Sequence, residues 1–262
     1  MGTRLNMAPV CFTLAQVRFN QVLAMEPHLP AIQDELRAAG FPDYSTVTAQ
    51  LLEMSAGADG ELAVRPKQMI RHFFRNRKNT AAILLDPGVL TYELSDYPVF
   101  DEFAATFASA MSIVSKHLPV EYSERLGMRM LDAVQSRPGE SLSQYLIPHA
   151  LGFGEVIALG LEHQQTLTES IFKANGNTVL VRAVRLPRGA AMPPDLAPLR
   201  IQLSERFTSY EGETIMLDCD SFREAREDFD VNALTAQLGE LKSVLSKSFR
   251  ALVTDFALET WR

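Results

Sequence analysis

The chain has 262 residues, of which 47% are hydrophobic and 22% charged, and its formal net charge is −7. This composition is typical of a globular protein with a sizeable core, and it argues against disorder and against a protein dedicated to coating DNA. Two cysteines are too few for a disulfide framework, no stretch is apolar enough to span a membrane, and the N-terminus makes a poor signal peptide, so we expect a cytoplasmic protein.

The first half of the chain predicts a run of strands interrupted by two helices. A helix over residues 25–39 ends at Gly40, and a helix over residues 99–118 carries apolar residues at three- and four-residue spacing until Pro119. Between and around these helices, the patterns of apolar and polar residues predict strands over 11–19, 47–54, 68–75, 79–85, 89–94 and 123–134.

The second half repeats this order loosely. Strands over 167–174 and 178–186 flank Asn175, Gly176 and Asn177, which together are an excellent hairpin turn. The proline-rich segment 187–198 is the best candidate for a loop or lid. Two more strands are predicted over 199–207 and 213–217.

A long amphipathic helix is predicted for residues 230–261. Asp230 can cap its first turn, since an aspartate side chain accepts a hydrogen bond from a free backbone N–H there. Seven apolar residues fall on one stripe, and we expect the helix to pack either on its own sheet or on another subunit. The stripe consists of Leu234, Leu238, Leu241, Leu245, Phe249, Leu252 and Phe256.

Together these elements predict an α+β fold with one or more antiparallel sheets and long amphipathic helices on one face. Both halves run through a meander of strands to a helix, which favours a duplicated strand-meander-plus-helix unit. The predicted domains are an N-terminal α+β half over residues 1–150 and a C-terminal α+β half over residues 151–262. One continuous domain is the alternative.

The densest cationic segment covers residues 65–78, where basic residues alternate with His72, Phe73 and Phe74. Arginine and lysine bind phosphates, and an aromatic ring can stack on a base. This pattern therefore predicts a nucleotide or nucleic-acid site, an acidic protein partner, or a solvated edge strand whose charges prevent aggregation. The candidate binding residues are Arg71, Arg75, Arg77 and Lys78.

Arg125 and Arg129 form a second candidate group, because alternate residues of a strand point to the same face. The opposite face of this predicted strand is apolar and should meet the helices. We expect the arginines to pair with acids such as Glu121, to bind a ligand carboxylate or phosphate, or to contact a second subunit.

Asp218 and Asp220 are the remaining candidates, placed at the end of a predicted strand and before a segment that can start a helix. They can act as paired carboxylates or bind a hard cation, or they can serve as turn and cap residues. The histidines show no metal-ligand spacing, and no phosphate-binding loop, dinucleotide fingerprint or nucleophile elbow is present. We therefore predict no catalytic residue, no metal and no cofactor.

Four short segments resemble a sporadically distributed bacterial family of similar length with no assigned function. Members of that family usually carry an aromatic residue and an asparagine just after the second arginine of the second segment, where this chain has Met130 and Asp132 nearby. The resemblance implies the order of the elements and supplies no catalytic residues. The segments are Gln-Val-Arg-Phe at 16–19, Arg-Leu-Gly-Met-Arg at 125–129, Leu-Asp-Cys-Asp at 217–220 and Phe-Arg-Ala-Leu-Val-Thr-Asp at 249–255.

These observations favour a non-enzymatic binding or regulatory protein that acts through a protein partner or as a homodimer. The alternatives are a nucleotide or nucleic-acid sensor that uses the basic strand face, and an enzyme of unknown class that uses Asp218 and Asp220.

Overall fold

The computed structural model describes residues 7–56, 62–155 and 162–262, with the backbone only at 49–56, 62–69 and 154–155. The sequence also predicts a turn between Gly57 and Gly60, and this turn lies outside the described range. Within it the strands are β1 (Val10–Phe19), β2 (Asp43–Ala56), β3 (Leu62–Arg75), β4 (Ala81–Asp86), β5 (Val89–Leu94), β6 (Tyr122–Gln135), β7 (Thr166–Ala174), β8 (Asn177–Leu186) and β9 (Thr214–Asp228).

The helices of the described residues divide into three long ones and four short ones. They are α1 (Leu29–Ala38), α2 (Phe100–His117), α3 (Leu142–Tyr145), α4 (Pro148–Leu151), α5 (Glu205–Thr208), α6 (Val231–Leu252) and α7 (Asp255–Thr260), with single 3-10 turns at Glu26–His28, Gly152–Glu155 and Pro194–Leu196. The chain is therefore a mixed α+β protein, as the sequence predicts.

All described strands belong to one antiparallel sheet with the order β2-β3-β4-β5-β1-β6-β9-β8-β7. The first strand of the chain lies near the centre, where β1 pairs with β6 across more than 100 residues of sequence. Because β6 in turn pairs with β9, the two halves of the chain contribute to a single continuous sheet.

One face of the sheet is covered by α1, α2 and α6, which share a core with the apolar faces of the central strands. The leucines at three- and four-residue spacing place α6 there, since Leu234, Leu238, Leu241 and Leu245 are all buried. Asp230 caps the helix as predicted and accepts a hydrogen bond from the backbone N–H of Ala233 at 2.8 Å.

The opposite face of the sheet is partly covered by a strap, the segment of residues 187–213 between β8 and β9. Ile201 and Phe207 of the strap are buried against Phe12 and Leu131 of the sheet. The strap reaches as far as the β3–β4 turn, where the N–H of Gln202 donates to the carbonyl of Asn79 at 2.7 Å. Met192 and Leu196 of the predicted loop at residues 187–198 pack against the same cluster, so this loop lies against the sheet.

The structure corrects three of the predicted elements. The terminal helix breaks after Leu252, because Val253 is extended and forms a β-bridge with Leu146, and Thr254 then caps a separate helix, α7. No strand forms over 199–207, since this part of the strap packs irregularly on the sheet and ends in α5. The strand predicted at 213–217 instead continues to Asp228 along the full length of β6.

Among the described residues, no helix is both long and apolar enough to cross a membrane.

Candidate functional site

Arg129 is the centre of an ion-pair cluster on the strap side of the sheet. Its guanidinium donates two hydrogen bonds of 2.7 Å to Asp218 on the neighbouring strand β9 and one of 2.5 Å to Asp195 of the strap. The side chains of Arg129 and Asp218 are only 8% and 1% exposed. Burial alone lowers the pKa of Arg129, and the hydrogen bonds to both acids outweigh it, so the pKa rises.

The cluster continues outward along the sheet. Arg182 on β8 lies 3.5 Å from the second carboxylate oxygen of Asp218 and pairs with Glu169 on β7. Because Asp218 receives two arginines in a buried position, its role here is to neutralise charge. Asp218 and Asp220 lie in the middle of β9, so the predicted position at a strand end is wrong.

Arg125 lies on the same face of β6 as Arg129, and its side chain folds back over Gly127. Its guanidinium carbon lies 4.3 Å from the centre of the Phe222 ring and its Nη2 lies 3.6 Å from Asp220. A Cβ at Gly127 would lie 2.9 Å from the Arg125 guanidinium, so the glycine leaves room for the arginine. Burial raises the pKa of Asp220, and the cationic charge of Arg125 opposes that rise.

Two arginines of the basic segment, Arg71 and Arg75, are also in ion pairs. Arg71 lies 3.2 Å from Asp86, and the Nε and Nη2 atoms of Arg75 each lie 3.0 Å from one oxygen of Asp43. Burial raises the pKa of Asp86 to about 6, with Arg71 opposing the rise. Burial likewise raises the pKa of Glu93, which also feels the Arg71 charge, to about 7.

The aromatic residues of that segment are not available for stacking on a base. Phe73 and Phe74 are 5% and 0% exposed, and His72 is buried with a ring nitrogen 2.9 Å from the Tyr44 hydroxyl. β3 pairs with β2 along its whole length but with β4 only over residues 72–75, so Arg71 and the residues before it have a described neighbouring strand on one side only. Arg65 and Lys67 belong to the residues whose side chains are not described.

Arg77 and Lys78 differ from the other candidates because both are exposed on the β3–β4 turn. With Arg37 of α1 they line a groove of about 660 Å³, whose wall also contains Asp96. In the described part of the chain, no ion pair involves Arg77 or Lys78. The structure thus brings two of the six predicted binding residues to one cationic groove and places the other four in ion pairs.

The most unusual surface was missed by the sequence analysis and lies at β7, which ends the sheet. Leu167, Ile171 and Phe172 are 57%, 62% and 56% exposed on this strand. Phe153, 76% exposed, lies on the 3-10 turn that contacts β7. The sequence pattern predicts this strand correctly. Nothing in the pattern indicates that, among the described strands, β7 has a neighbour on one side only.

No known family model matches this chain, and no match was found among curated proteins. The part of the chain that the structure describes contains no group of three or more side chains that could hold a metal ion.

Proposed function

We propose that the protein is a non-enzymatic binding protein that docks a strand of another polypeptide on the open edge of β7. The observation that carries the proposal is the edge itself. β7 is the last strand of the sheet and exposes large apolar side chains on both of its faces, with Leu167 and Ile171 on the strap side and Phe172 on the helix side.

An exposed, apolar edge strand promotes aggregation, because other extended chains can pair with it, so it is unfavourable unless a partner binds there. Such an edge presents a row of unpaired N–H and C=O groups to any extended chain, and proteins usually protect it with charges, prolines or a covering loop. β7 contains neither proline nor bulge, and its charged residues are Glu169 and Lys173. Main-chain pairing on such an edge, with apolar contacts beside it, is a common mode of peptide recognition.

We further propose that the chain consists of two copies of one unit, with the boundary placed before β6 instead of at residue 150. The first half then runs from β1 to α2 and the second half from β6 to α6. In each half the first strand lies at the centre of the sheet, and the last strand of the meander lies next to it, giving the orders β1-β5-β4-β3-β2 and β6-β9-β8-β7. In this comparison β7 corresponds to β3, and no described strand corresponds to β2. The docked strand would take the position that β2 occupies in the first half.

Replacing both Ile171 and Phe172 by Lys should remove the binding. Two apolar contacts are lost and two charges are added at the edge, so we expect affinity to fall at least about tenfold, or about 1.4 kcal/mol. Tagged wild-type and variant proteins are exposed to an extract of the native host, and captured proteins are identified and quantified. The purified partner is then added back while amide exchange in β7 is followed.

Leu23→Lys is the control for replacing an exposed apolar residue by lysine away from β7, because Leu23 is 85% exposed outside the sheet. Binding that is lost in the β7 variant and kept in the control, with slower exchange of β7 amides, is the expected result. The proposal fails if neither another protein nor a second copy of this chain slows exchange in β7.

The cationic groove favours a second candidate function, the binding of a nucleotide or another phosphate-bearing ligand. We expect Arg77→Glu combined with Lys78→Glu to weaken binding of a fluorescent nucleotide or short oligonucleotide about tenfold and to reduce its salt dependence. Lys247→Glu combined with Arg250→Glu, at two exposed residues of α6, is the control with the same change of net charge. Binding that is absent, or that is equal in all three proteins, excludes this candidate.

A further inference from the structure

We infer that the strand docked on β7 is β7 of a second copy of this chain, so that two sheets join into one continuous antiparallel sheet about a two-fold axis at Ile171. This inference rests on the proposed docking function and specifies its partner. It follows from the backbone direction, charge pattern and apolar surface of β7.

The turn that ends β7 determines which backbone groups point outward. Asn175 and Gly176 have φ values of 52° and 80°, as the central residues of a type I′ turn do. Such a turn closes with the N–H of Asn177 donating to the carbonyl of Ala174.

Hydrogen-bonded and non-hydrogen-bonded pairs alternate along an antiparallel ladder. Counting back from the hydrogen-bonded pair of Ala174 and Asn177, the residues Lys173, Ile171 and Glu169 direct their N–H and C=O groups away from β8 and toward the open edge. Two copies of β7 can therefore form direct hydrogen bonds through these three residues.

The charges of Glu169 and Lys173 favour one register for the pairing of the two β7 strands. When Ile171 lies opposite Ile171 of the second copy, Glu169 lies opposite Lys173 of that copy, and the pair occurs twice because of the symmetry. A shift by one step of the ladder in either direction places Ile171 opposite Glu169 or opposite Lys173, and loses both charge pairs. Within the described residues Lys173 has no ion pair. Glu169 already pairs with Arg182, but only through Oε2, so its Oε1 can accept a hydrogen bond from the partner's Lys173.

The same register covers the apolar surface. The two Ile171 side chains meet on the strap side of the joined sheet, and opposite residues of antiparallel strands have side chains on the same face. Phe172 lies opposite Ser170 on the helix side, where the small serine leaves space for the ring. The exposed apolar residues at the centre of β7 are therefore covered together by a second copy.

Cysteine substitutions test this register directly. The chain contains only Cys11 and Cys219, which are both 1% exposed, and burial raises the pKa of both thiols. Hydrogen-bonded partners have Cα atoms about 5.5 Å apart, which suits a disulfide. Ile171→Cys should therefore convert fully to a disulfide-linked species of twice the 29.1 kDa chain mass under mild oxidation.

Mixtures of variants separate this register from others. Glu169→Cys and Lys173→Cys should each stay monomeric in denaturing gels when oxidised alone and should cross-link when mixed. Leu23→Cys, exposed but remote in the fold, reports the rate of random collision. Sedimentation should show a dimer for the wild type and a monomer for Ile171→Lys, with unchanged circular dichroism.

Two results overturn the inference. A wild-type protein that sediments as a monomer throughout the micromolar range excludes the dimer. Cross-linking of Ile171→Cys no faster than Leu23→Cys excludes the register. If a different protein slows exchange of the β7 amides while the wild type remains monomeric, the docking function stands and only the homodimer is wrong.

Discussion

Asp218→Asn is expected to lower the free energy of unfolding by about 3–5 kcal/mol, because it leaves the buried charge of Arg129 without its main partner. The carboxylate is 1% exposed, receives both 2.7 Å hydrogen bonds from Arg129, and also lies 3.5 Å from Arg182. Of the two acids that accept hydrogen bonds from Arg129, only Asp195 would remain to compensate its charge, and the Asp195 side chain is 60% exposed. Urea denaturation followed by circular dichroism measures the loss.

Two further variants show whether the loss comes from the ion pair. Asp195→Asn should cost less than about 1 kcal/mol, as expected for an acid with an exposed side chain. The double variant Arg129→Met with Asp218→Leu should be more stable than either single variant, since it removes both buried charges together.

The same measurement bears on the enzyme hypothesis. An Asp218→Asn protein with unchanged stability would contradict the structural role of this carboxylate and would restore the pair of Asp218 and Asp220 as a candidate for acid–base chemistry. A large loss of stability supports a structural role instead.

Asp132→Asn is expected to stabilise the protein by about 2–4 kcal/mol at pH 8 and to have little effect near pH 4. Asp132 is 6% exposed on the helix side of β6, and burial raises its pKa to about 7, with the charge of Lys242 on α6 opposing the rise. Its other titratable neighbours, Cys11 and Cys219, are buried thiols whose pKa is raised. One unit of pKa corresponds to about 1.4 kcal/mol.

The direction of this pH dependence follows from proton uptake. A carboxyl with a raised pKa binds its proton more tightly in the folded state, so its contribution is full below the unfolded pKa near 4. That contribution is lost as the pH rises through the folded pKa of about 7. Asp86 and Glu93 act in the same direction, with pKa values raised to about 6 and about 7.

Thermal unfolding of the wild type and Asp132→Asn between pH 4.5 and 8 tests this prediction. The wild-type melting temperature should fall with rising pH across this window, and the variant should fall less. Parallel curves for the two proteins would mean that Asp132 does not titrate in the folded state within this range.

Local sequence patterns correctly predicted the elements whose structure depends on residues close to them in the chain. β5 has the predicted bounds of 89–94, because Leu90, Tyr92 and Leu94 alternate with Thr91 and Glu93. The turn at Asn175 and Gly176 forms the predicted hairpin. Asp230 caps α6, since capping depends only on residues within one turn.

Predictions failed where a distant partner decides the structure. Val253 ends α6 by pairing with Leu146, more than 100 residues away, although the apolar stripe continues in sequence. The second half of β9 is rich in charged residues that would suit a helix, but it pairs with β6 and extends to Asp228.

The candidate site shows the same division. Alternation along β6 correctly placed Arg125 and Arg129 on one face. It could not identify the acids that pair with Arg129, because Asp218 and Asp195 lie 89 and 66 residues away in sequence. The open edge of β7 could not be predicted either, because the order of strands in a sheet depends on the complete set of pairings.

The position of α6 also has a consequence for synthesis. Its four buried leucines complete the core that α1 and α2 share with the sheet, but α6 leaves the ribosome after every strand of that sheet. Until then, the apolar face of β6 and β9 beneath it has no cover, and partly folded chains with such surfaces tend to aggregate. The growing chain therefore exposes the apolar face of β6 from the completion of that strand until α6 has been made, and we expect the partly folded chain to aggregate most readily in this interval.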